Sequence, residues 1–337
     1  MHLFLIEHDR GQLSDTALEG LTAARTLARA SGEPLEAVVI GEDGRELATD
    51  LGGYGVETVH LVTHDLLSDY APAAWGECIA QVAIVNTASA ISATGTERGN
   101  EVMAHVGARL DMAMVSNCIA IETGDRAPDP TYHPDWEMTR VRWGGSLHER
   151  ARLTSPIKLV THYPHSIEPS TVDPPASATI EEFVPELDPA LAATRVVDRV
   201  VTGEGITLAT APVVVSGGRG VGSAEGFAPL EELAELLGGA VGCSRVVTNN
   251  GWKNHKFQVG QTGTVIAPEL YIACGISGAI QHWVGMMAAK NVLAINIDPD
   301  APMVTKGDYA VIADLHEVVP AITAEILRRR GKAREEA

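Results

Sequence analysis

The segment ELYIACGISGAIQH, Glu269–His282, decides the fold of the C-terminal part of the chain. It begins with an apolar, β-prone run that predicts a buried strand, and Gly275 and Gly278 follow that run. The next residues predict a helix over Ala279–Ala289, with His282 one turn inside it. Strand, glycine turn and helix in succession are typical of an open α/β sheet, which binds ligands at the carboxyl ends of its strands.

Similar strand-and-glycine patterns surround this segment from Pro212 to Pro320. They comprise PVVVSGGRG, helix Leu230–Leu237, GCSRVVTNN, NVLAINID, DYAVIAD and a final helix near Val318. The loop QVGQTG precedes the ELYIACG strand. This order predicts a C-terminal doubly wound parallel-sheet domain, with polar side chains from several strand ends sharing one crevice. A glycine turn alone is as often structural as ligand-binding.

The first half of the chain has a βαβ rhythm that predicts an N-terminal α/β sheet domain. The predicted strands are Leu3–His8, Glu36–Glu42, Thr58–Val62 and Gln81–Ser89, and the predicted helices are Ser14–Ala30 and Gly99–Leu110. Three further β-prone runs predict antiparallel strands appended to this sheet. They are Asn117–Glu122, Met138–Trp143 and Ile157–Thr161.

Proline-rich stretches and composition divide the chain. Arg126–Asp135 predicts a loop, His162–Ser177 a longer connector, and Ala178–Val201 an edge strand plus linker helix. The fold class is therefore α/β in two domains. The predicted boundaries are 1–200 for the N-terminal domain, a subunit-interface scaffold, 201–325 for the C-terminal domain, and 326–337 for a charged, frayed tail.

Composition excludes several classes of protein. A formal charge of −19 over 337 residues disfavours nucleic-acid and membrane-surface binding. No apolar run approaches the roughly 20 residues of a membrane helix, and the N-terminus MHLFLIEHD has no signal or transit character, so a cytoplasmic protein is expected. Four cysteines lie far apart without metal-site spacing, which predicts reduced, buried thiols.

The C-terminal motifs resemble, in order, those of the FAD domain of electron-transfer flavoprotein alpha subunits. They are SGGRG, CSR, GW, QVGQTG, APELYIACGISGAIQHWVGM, AINIDPDAP and DYAVIADLHEVVP. EHDRGQLSDTALEGLTAARTLA and ARLDMAMVSN resemble the family's first domain more loosely. The resemblance implies an electron carrier rather than a substrate-converting enzyme. Its FAD would shuttle electrons through a stabilised anionic semiquinone.

The resemblance also implies a set of FAD contacts. Arg245 would lie over the isoalloxazine ring, Thr262 would reach flavin N5, and His282 would act as a cation toward flavin O2. Ser277 and Gln281 would lie near the pyrophosphate. The full set of implied cofactor residues is Arg219, Ser244, Arg245, Val259, Gly260, Gln261, Thr262, Ser277, Gly278, Ala279, Ile280, Gln281, His282, and, around the adenosine, Asn296, Asp314 and Leu315.

By the same resemblance, the partner is a beta subunit that holds AMP. Flavoprotein dehydrogenases would be the electron donors, and a membrane flavoprotein-quinone oxidoreductase the acceptor. Thr264, Asn249 and His316 replace the family's usual Lys, Asp and Phe. These departures leave open the redox potential, bifurcation, and the choice between an acyl-CoA dehydrogenase and a methylamine- or betaine-type donor.

Two other classes of protein compete with this interpretation. An NAD-dependent dehydrogenase or transhydrogenase-like enzyme would need an acid or base beside its substrate. His133, His148 and His162 are candidates by type, but their loop or strand-end positions favour solvated side chains. The third class is an interaction protein that has lost FAD and keeps only the dimer surface.

Overall fold

The computed structural model describes residues 1–124, 133–196 and 206–335. The predicted loop at Arg126–Asp135 lies mostly outside these ranges. Contacts divide the chain into two units. The first comprises Met1–Trp143 and Leu147–Val200, and the second comprises Gly144–Ser146 and Val201–Ala337. No helix among the described residues is both long and apolar enough to cross a membrane.

The first unit is built on a nine-stranded sheet. Its strands, with the short β2–β3 hairpin, are β1 (His2–Leu5), β2 (His8–Asp9), β3 (Gln12–Leu13), β4 (Leu35–Ile40), β5 (Thr58–Val62), β6 (Ala90–Thr94), β7 (Met114–Thr123), β8 (Trp136–Arg142), β9 (Leu147–Leu153), β10 (Lys158–His162) and β11 (Thr179–Phe183). Its helices are α1 (Asp15–Ser31), α2 (Arg45–Ala48), α3 (Pro72–Val85) and α4 (Glu97–Leu110). The sheet order is β11-β5-β4-β1-β6-β10-β7-β8-β9.

Helices cover both faces of this sheet. Helix α1 begins where the Ser14 hydroxyl accepts from the backbone nitrogen of Ala17, and it ends at Gly32 with φ 63°. Its buried Leu21 and Ala24 pack in the same core as Phe4 of β1. Helices α3 and α4 pack in a second core with the opposite face of β1 and β4. These apolar faces confirm an α/β layered unit.

Two predictions for this unit are wrong. Gln81–Ser89 was expected to be a strand, but Gln81–Val85 forms the last part of α3, and the strand follows at Ala90–Thr94. Val82 and Ala83 are buried among the α3 neighbours, so packing overrides β propensity. Ile157–Thr161 was expected to be antiparallel, but β10 pairs parallel with both β6 and β7.

The antiparallel extension consists of β7, β8 and β9. Asn117–Glu122 and Met138–Trp143 are confirmed as antiparallel neighbours. Sequence reasoning missed β9, because LHERARL is mostly exposed and charged and lacks an apolar alternation. The predicted edge strand after Ala178 is confirmed as β11, which pairs with β5 alone.

The second unit has a five-stranded sheet in the order β13-β12-β14-β15-β16, with every pair parallel. Its strands are β12 (Val213–Gly217), β13 (Ala240–Cys243), β14 (Leu270–Cys274), β15 (Val292–Asn296) and β16 (Tyr309–Ile312). Its helices are α5 (Ala228–Leu236), α6 (Arg245–Asn249), α7 (Ile280–Trp283), α8 (Pro302–Lys306) and α9 (Leu315–Glu335). The parallel sheet is confirmed, and its doubly wound connection pattern remains a prediction.

The predicted helix over Ala279–Ala289 is wrong in length, since α7 has a single turn. Gly285 explains the early end. A Cβ there would lie 2.3 Å from both the nitrogen and the Cα of Gly260, so this segment packs directly against the QVGQTG loop. The nitrogen of Ile266 also donates to the Gly285 carbonyl at 2.8 Å. Tertiary packing therefore replaces a longer helix with a backbone-to-backbone contact.

Candidate cofactor-binding site

Two glycine turns meet closely at the carboxyl ends of β12 and β14. In the sheet order, β13 lies on one side of β12 and β14 on the other. The chain connections therefore diverge between β12 and β14, which is where parallel sheets usually bind ligands. The nitrogen of Gly220 donates to the Gly275 carbonyl at 3.1 Å. A Cβ at Gly218 would lie 2.2 Å from the same carbonyl oxygen, and Gly275 has a φ of 62°. Only glycine allows this approach.

A cavity of about 350 Å³ lies at this edge of the sheet. Its wall combines the turns after β12, β13 and β14 with the QVGQTG loop and the start of α7. The lining residues are Arg219, Ser244, Arg245, Val246, Gln258, Val259, Gly260, Thr262, Gly275, Ile276, Ser277, Gly278, Ala279, Gln281 and His282. Most of the predicted cofactor residues are thus brought to one cavity.

The charge of this wall differs from that of the whole chain. Arg219 and Arg245 are exposed, and neither forms an ion pair with another described residue. No carboxylate belongs to the lining. In a chain with a formal charge of −19, an opening lined by two arginines and backbone amides suits an anionic ligand such as a pyrophosphate.

Five of the predicted residues do not line the cavity. The Asn296 amide nitrogen donates to the Ile276 carbonyl at 3.0 Å, and Asp314 Oδ1 accepts from the His316 nitrogen at 2.9 Å. Leu315 is buried in the core behind the glycine turns. The remaining two are Gln261 and Ile280. Contacts of these five residues with a cofactor remain predictions.

Gln258 is a lining residue that sequence reasoning missed, although it is the first residue of QVGQTG. Its amide is buried between two threonine hydroxyls, with Thr248 Oγ1 at 2.7 Å from Oε1 and Thr262 Oγ1 at 3.0 Å from Nε2. When Nε2 donates to Thr262, the Thr262 hydroxyl keeps its own hydrogen for another acceptor. Gln258 therefore orients the hydroxyl for which flavin N5 contact is predicted.

His282 is buried, and its two ring nitrogens have different surroundings. Nε2 lies 2.7 Å from the phenol oxygen of Tyr271. Nδ1 has no partner in hydrogen-bond geometry among the described residues, although the backbone of Val259 lies close enough to interact with the ring. Burial lowers the pKa of His282 to about 4, and the backbone of Val259 offsets only part of this shift. At that pKa the imidazole is neutral at pH 7, and a cationic His282 beside the flavin remains a prediction. A neutral N–H can still donate a hydrogen bond.

These observations fit a bound FAD. The glycine turns form a cradle that a Cβ would fill, the two arginines complement an anionic cofactor, and the Nδ1 atom of His282 is a buried polar group without a partner in hydrogen-bond geometry. Buried polar groups are nearly always hydrogen-bonded in native proteins. A ligand with an acceptor at this position would complete the site.

None of the histidines proposed for an alternative enzyme lines this cavity, although the Nε2 atom of His162 is also buried without a partner among the described residues. His133 and His148 are exposed, as expected. His162 is buried, and burial lowers its pKa to about 4, so its predicted solvated position is wrong. The reason is that β10 is an interior strand of the first sheet.

Two family models match the chain. The electron transfer flavoprotein domain matches residues 2–188, and the electron transfer flavoprotein FAD-binding domain matches residues 207–287. Electron transfer flavoprotein subunit alpha of Bacillus subtilis strain 168 is 36% identical over 319 residues, with 94% of each chain covered. The same subunit of Thermoanaerobacterium thermosaccharolyticum is 33% identical over 324 residues, covering 95% of this chain and 96% of its own. A probable mitochondrial alpha subunit of Caenorhabditis elegans is 34% identical over 335 residues, covering 96% and 93%.

Proposed function

Because the chain belongs to the electron transfer flavoprotein alpha-subunit family, we propose that it binds FAD in the cavity at the carboxyl ends of β12 and β14. The observation that carries the proposal is this cavity itself. It combines the Gly218 and Gly275 turns, the cations Arg219 and Arg245, and the unpartnered Nδ1 of His282. When bound, FAD supplies the reversible uptake and release of electrons.

The chain's own residues would bind and orient the cofactor. Arg219 and the amides near Ser277 would hold the pyrophosphate by charge-assisted hydrogen bonds, which are stronger than neutral ones. Arg245 would cover the isoalloxazine ring. Asn296 ends β15, and Asp314 follows the neighbouring strand β16 by two residues at the same sheet edge, which supports the proposal that the adenosine extends along it.

Two side chains would set the flavin's electronic properties. The Thr262 hydroxyl, oriented by Gln258, would donate toward N5, and His282 Nδ1 would donate toward the pyrimidine oxygen O2. A hydrogen-bond donor at O2 stabilises negative charge there better than apolar surroundings would, so it favours an anionic semiquinone. One-electron transfer then becomes practicable, in line with the proposed role as a carrier.

We propose that the partner is a beta subunit that holds AMP, and that the first unit is the scaffold that contacts this partner. Flavoprotein dehydrogenases would donate electrons, and a membrane quinone oxidoreductase would accept them. Acyl-CoA and methylamine- or betaine-type dehydrogenases both remain donor candidates, because Thr264 and Asn249 remove charges that the family usually carries near the site. Presenting each reduced donor in turn to the oxidised complex would identify the pairing.

Co-expression with a beta subunit tests the central proposal. The expected product is a yellow heterodimer with flavin absorption bands and no NADH turnover with hydroxy-acid or alcohol substrates. A well-folded complex that stays colourless after FAD addition would refute FAD binding and favour an interaction protein. Substrate-dependent NADH formation would instead favour a nicotinamide enzyme.

A further inference from the structure

Tyr271 is a buried residue to which the cofactor motifs assign no role. It lies on β14 with 0% of its surface exposed, in the core formed with Val214, Val259 and Met286. Its phenol oxygen is 2.7 Å from Nε2 of His282, and the two ring centroids are 6.1 Å apart. One rigid strand therefore holds a hydroxyl against one nitrogen of the cavity histidine.

The direction of this hydrogen bond follows from the two groups. Burial raises the pKa of Tyr271 and lowers that of His282 to about 4, so both are neutral at pH 7. A phenol is a good donor, and the unprotonated imidazole nitrogen is the better acceptor of the two heavy atoms. This comparison favours the arrangement in which the Tyr271 hydroxyl donates to Nε2, whereas the 2.7 Å distance by itself fits either tautomer. A neutral histidine that accepts at Nε2 carries its hydrogen on Nδ1.

The Nδ1–H group is then a buried donor. No described residue accepts from it in hydrogen-bond geometry, although His282 lines the cavity and the backbone of Val259 interacts with its ring. An unpaired buried donor is unfavourable until an acceptor arrives. The opposite tautomer would leave a bare lone pair at Nδ1, which would repel an acceptor oxygen of a ligand.

We propose that Tyr271 is a positioning residue that selects the Nδ1–H tautomer of His282, so that the histidine offers a donor to the flavin. The inference rests on the FAD binding proposed above. Tyr271 does not contact the reacting atoms in this scheme, and it acts only through His282. Loss of its hydroxyl should leave the apolar packing of the ring in place.

The test compares Tyr271→Phe with Tyr309→Phe in the heterodimer labelled with ¹⁵N-histidine. Tyr309 is in the same unit, and its side chain is 62% exposed, so the control removes the same atom without touching His282. The His282 signals are assigned by their loss in His282→Gln. In the wild type and in the control, NMR should show Nδ1 protonated and Nε2 unprotonated at pH 7, before and after FAD is added.

Tyr271→Phe should lower the ratio of the Nδ1–H to the Nε2–H tautomer by roughly two- to tenfold, the range of a single hydrogen bond. FAD affinity should fall by no more than this factor, because it follows the populated fraction of the Nδ1–H tautomer. A wild-type Nε2–H tautomer, or an unchanged ratio in Tyr271→Phe, would overturn the inference even when FAD binds normally. The wild-type measurement needs no folded variant. If FAD never binds, the proposed function fails, while the cofactor-free spectra still decide the tautomer.

Discussion

The glycine turn at Gly275 makes a sharp prediction when it is compared with Gly238. Both residues have left-handed backbones, with φ of 62° and 64°. A Cβ at Gly275 would lie 2.7 Å from Leu315 Cδ2 and 2.8 Å from the Gly220 Cα, whereas a Cβ at Gly238 would meet nothing within 4 Å. Substituting alanine at each position separates backbone strain from crowding.

The expected sizes follow from these two terms. Gly238→Ala should lower the free energy of unfolding by about 1 kcal/mol, because a left-handed alanine costs about 1–2 kcal/mol and the stiffer unfolded chain returns part of it. Gly275→Ala carries the same backbone term plus overpacking, which costs about 1–3 kcal/mol. The new Cβ would clash with main-chain atoms of Gly220, which cannot move aside as a flexible side chain can. The difference between the two variants should therefore be about 1–3 kcal/mol.

The measurement must report on the second unit alone. Urea titration with pulsed hydrogen exchange, read on peptides that contain β12 and β14, gives its free energy of unfolding. Cofactor is removed beforehand, since bound FAD would add a concentration-dependent stability. Equal losses in the two variants, or a larger loss in Gly238→Ala, would refute the claim that the two turns are in obligatory backbone contact.

Three further predictions concern named side chains. His282→Ala should weaken one-electron reduction more than folding; a photoreduced variant that accumulates as much anionic semiquinone as the wild type would contradict the role of this residue. Gln258→Met should shift the flavin potential while thermal stability changes little, because the Thr262 hydroxyl loses its orienting donor; potentiometry with Thr248→Val as a second variant checks this. Burial lowers the pKa of His2 to about 3 and of His162 to about 4. Above pH 6.5 both histidines are mostly unprotonated in the folded and in the unfolded chain. Between pH 6.5 and about pH 4 they are protonated in the unfolded chain only. The free energy of unfolding of the first unit should thus fall by about 3 kcal/mol from pH 7.5 to pH 5.5, at up to about 1.4 kcal/mol per pH unit per histidine. A flat profile in urea titrations over that range would refute it.

Local patterns predicted much of the fold. Thr58–Val62 matches β5 at both ends, because β-branched residues dominate this short run and its length suits a strand rather than a helix. The helix predicted over Ser14–Ala30 corresponds to α1, since its capping serine and apolar spacing are both local signals. Gln81–Val85 was mistaken for a strand because β-branched residues suit either state, and burial in the α3 core decided between them.

In the candidate site too, local motifs predicted some features, and contacts between distant segments decided the others. The QVGQTG and SGGRG motifs located the cavity because close backbone approach demands glycine at fixed positions. Gln258 was missed because a glutamine carries no sign of what its amide will contact. Tyr271 was missed for the same reason, since it reads as an ordinary apolar strand residue until the neighbouring segment brings His282 to it.

The sequence by itself determined the family, the parallel C-terminal sheet and the edge at which polar groups gather, because these depend on residue type and spacing along the chain. Only the tertiary structure decided that β10 is an interior parallel strand, that α7 has one turn, and that burial lowers the pKa of His282. Each of these depends on segments distant in sequence. Desolvation and hydrogen-bond direction arise from what surrounds a group in space, and no local pattern records that.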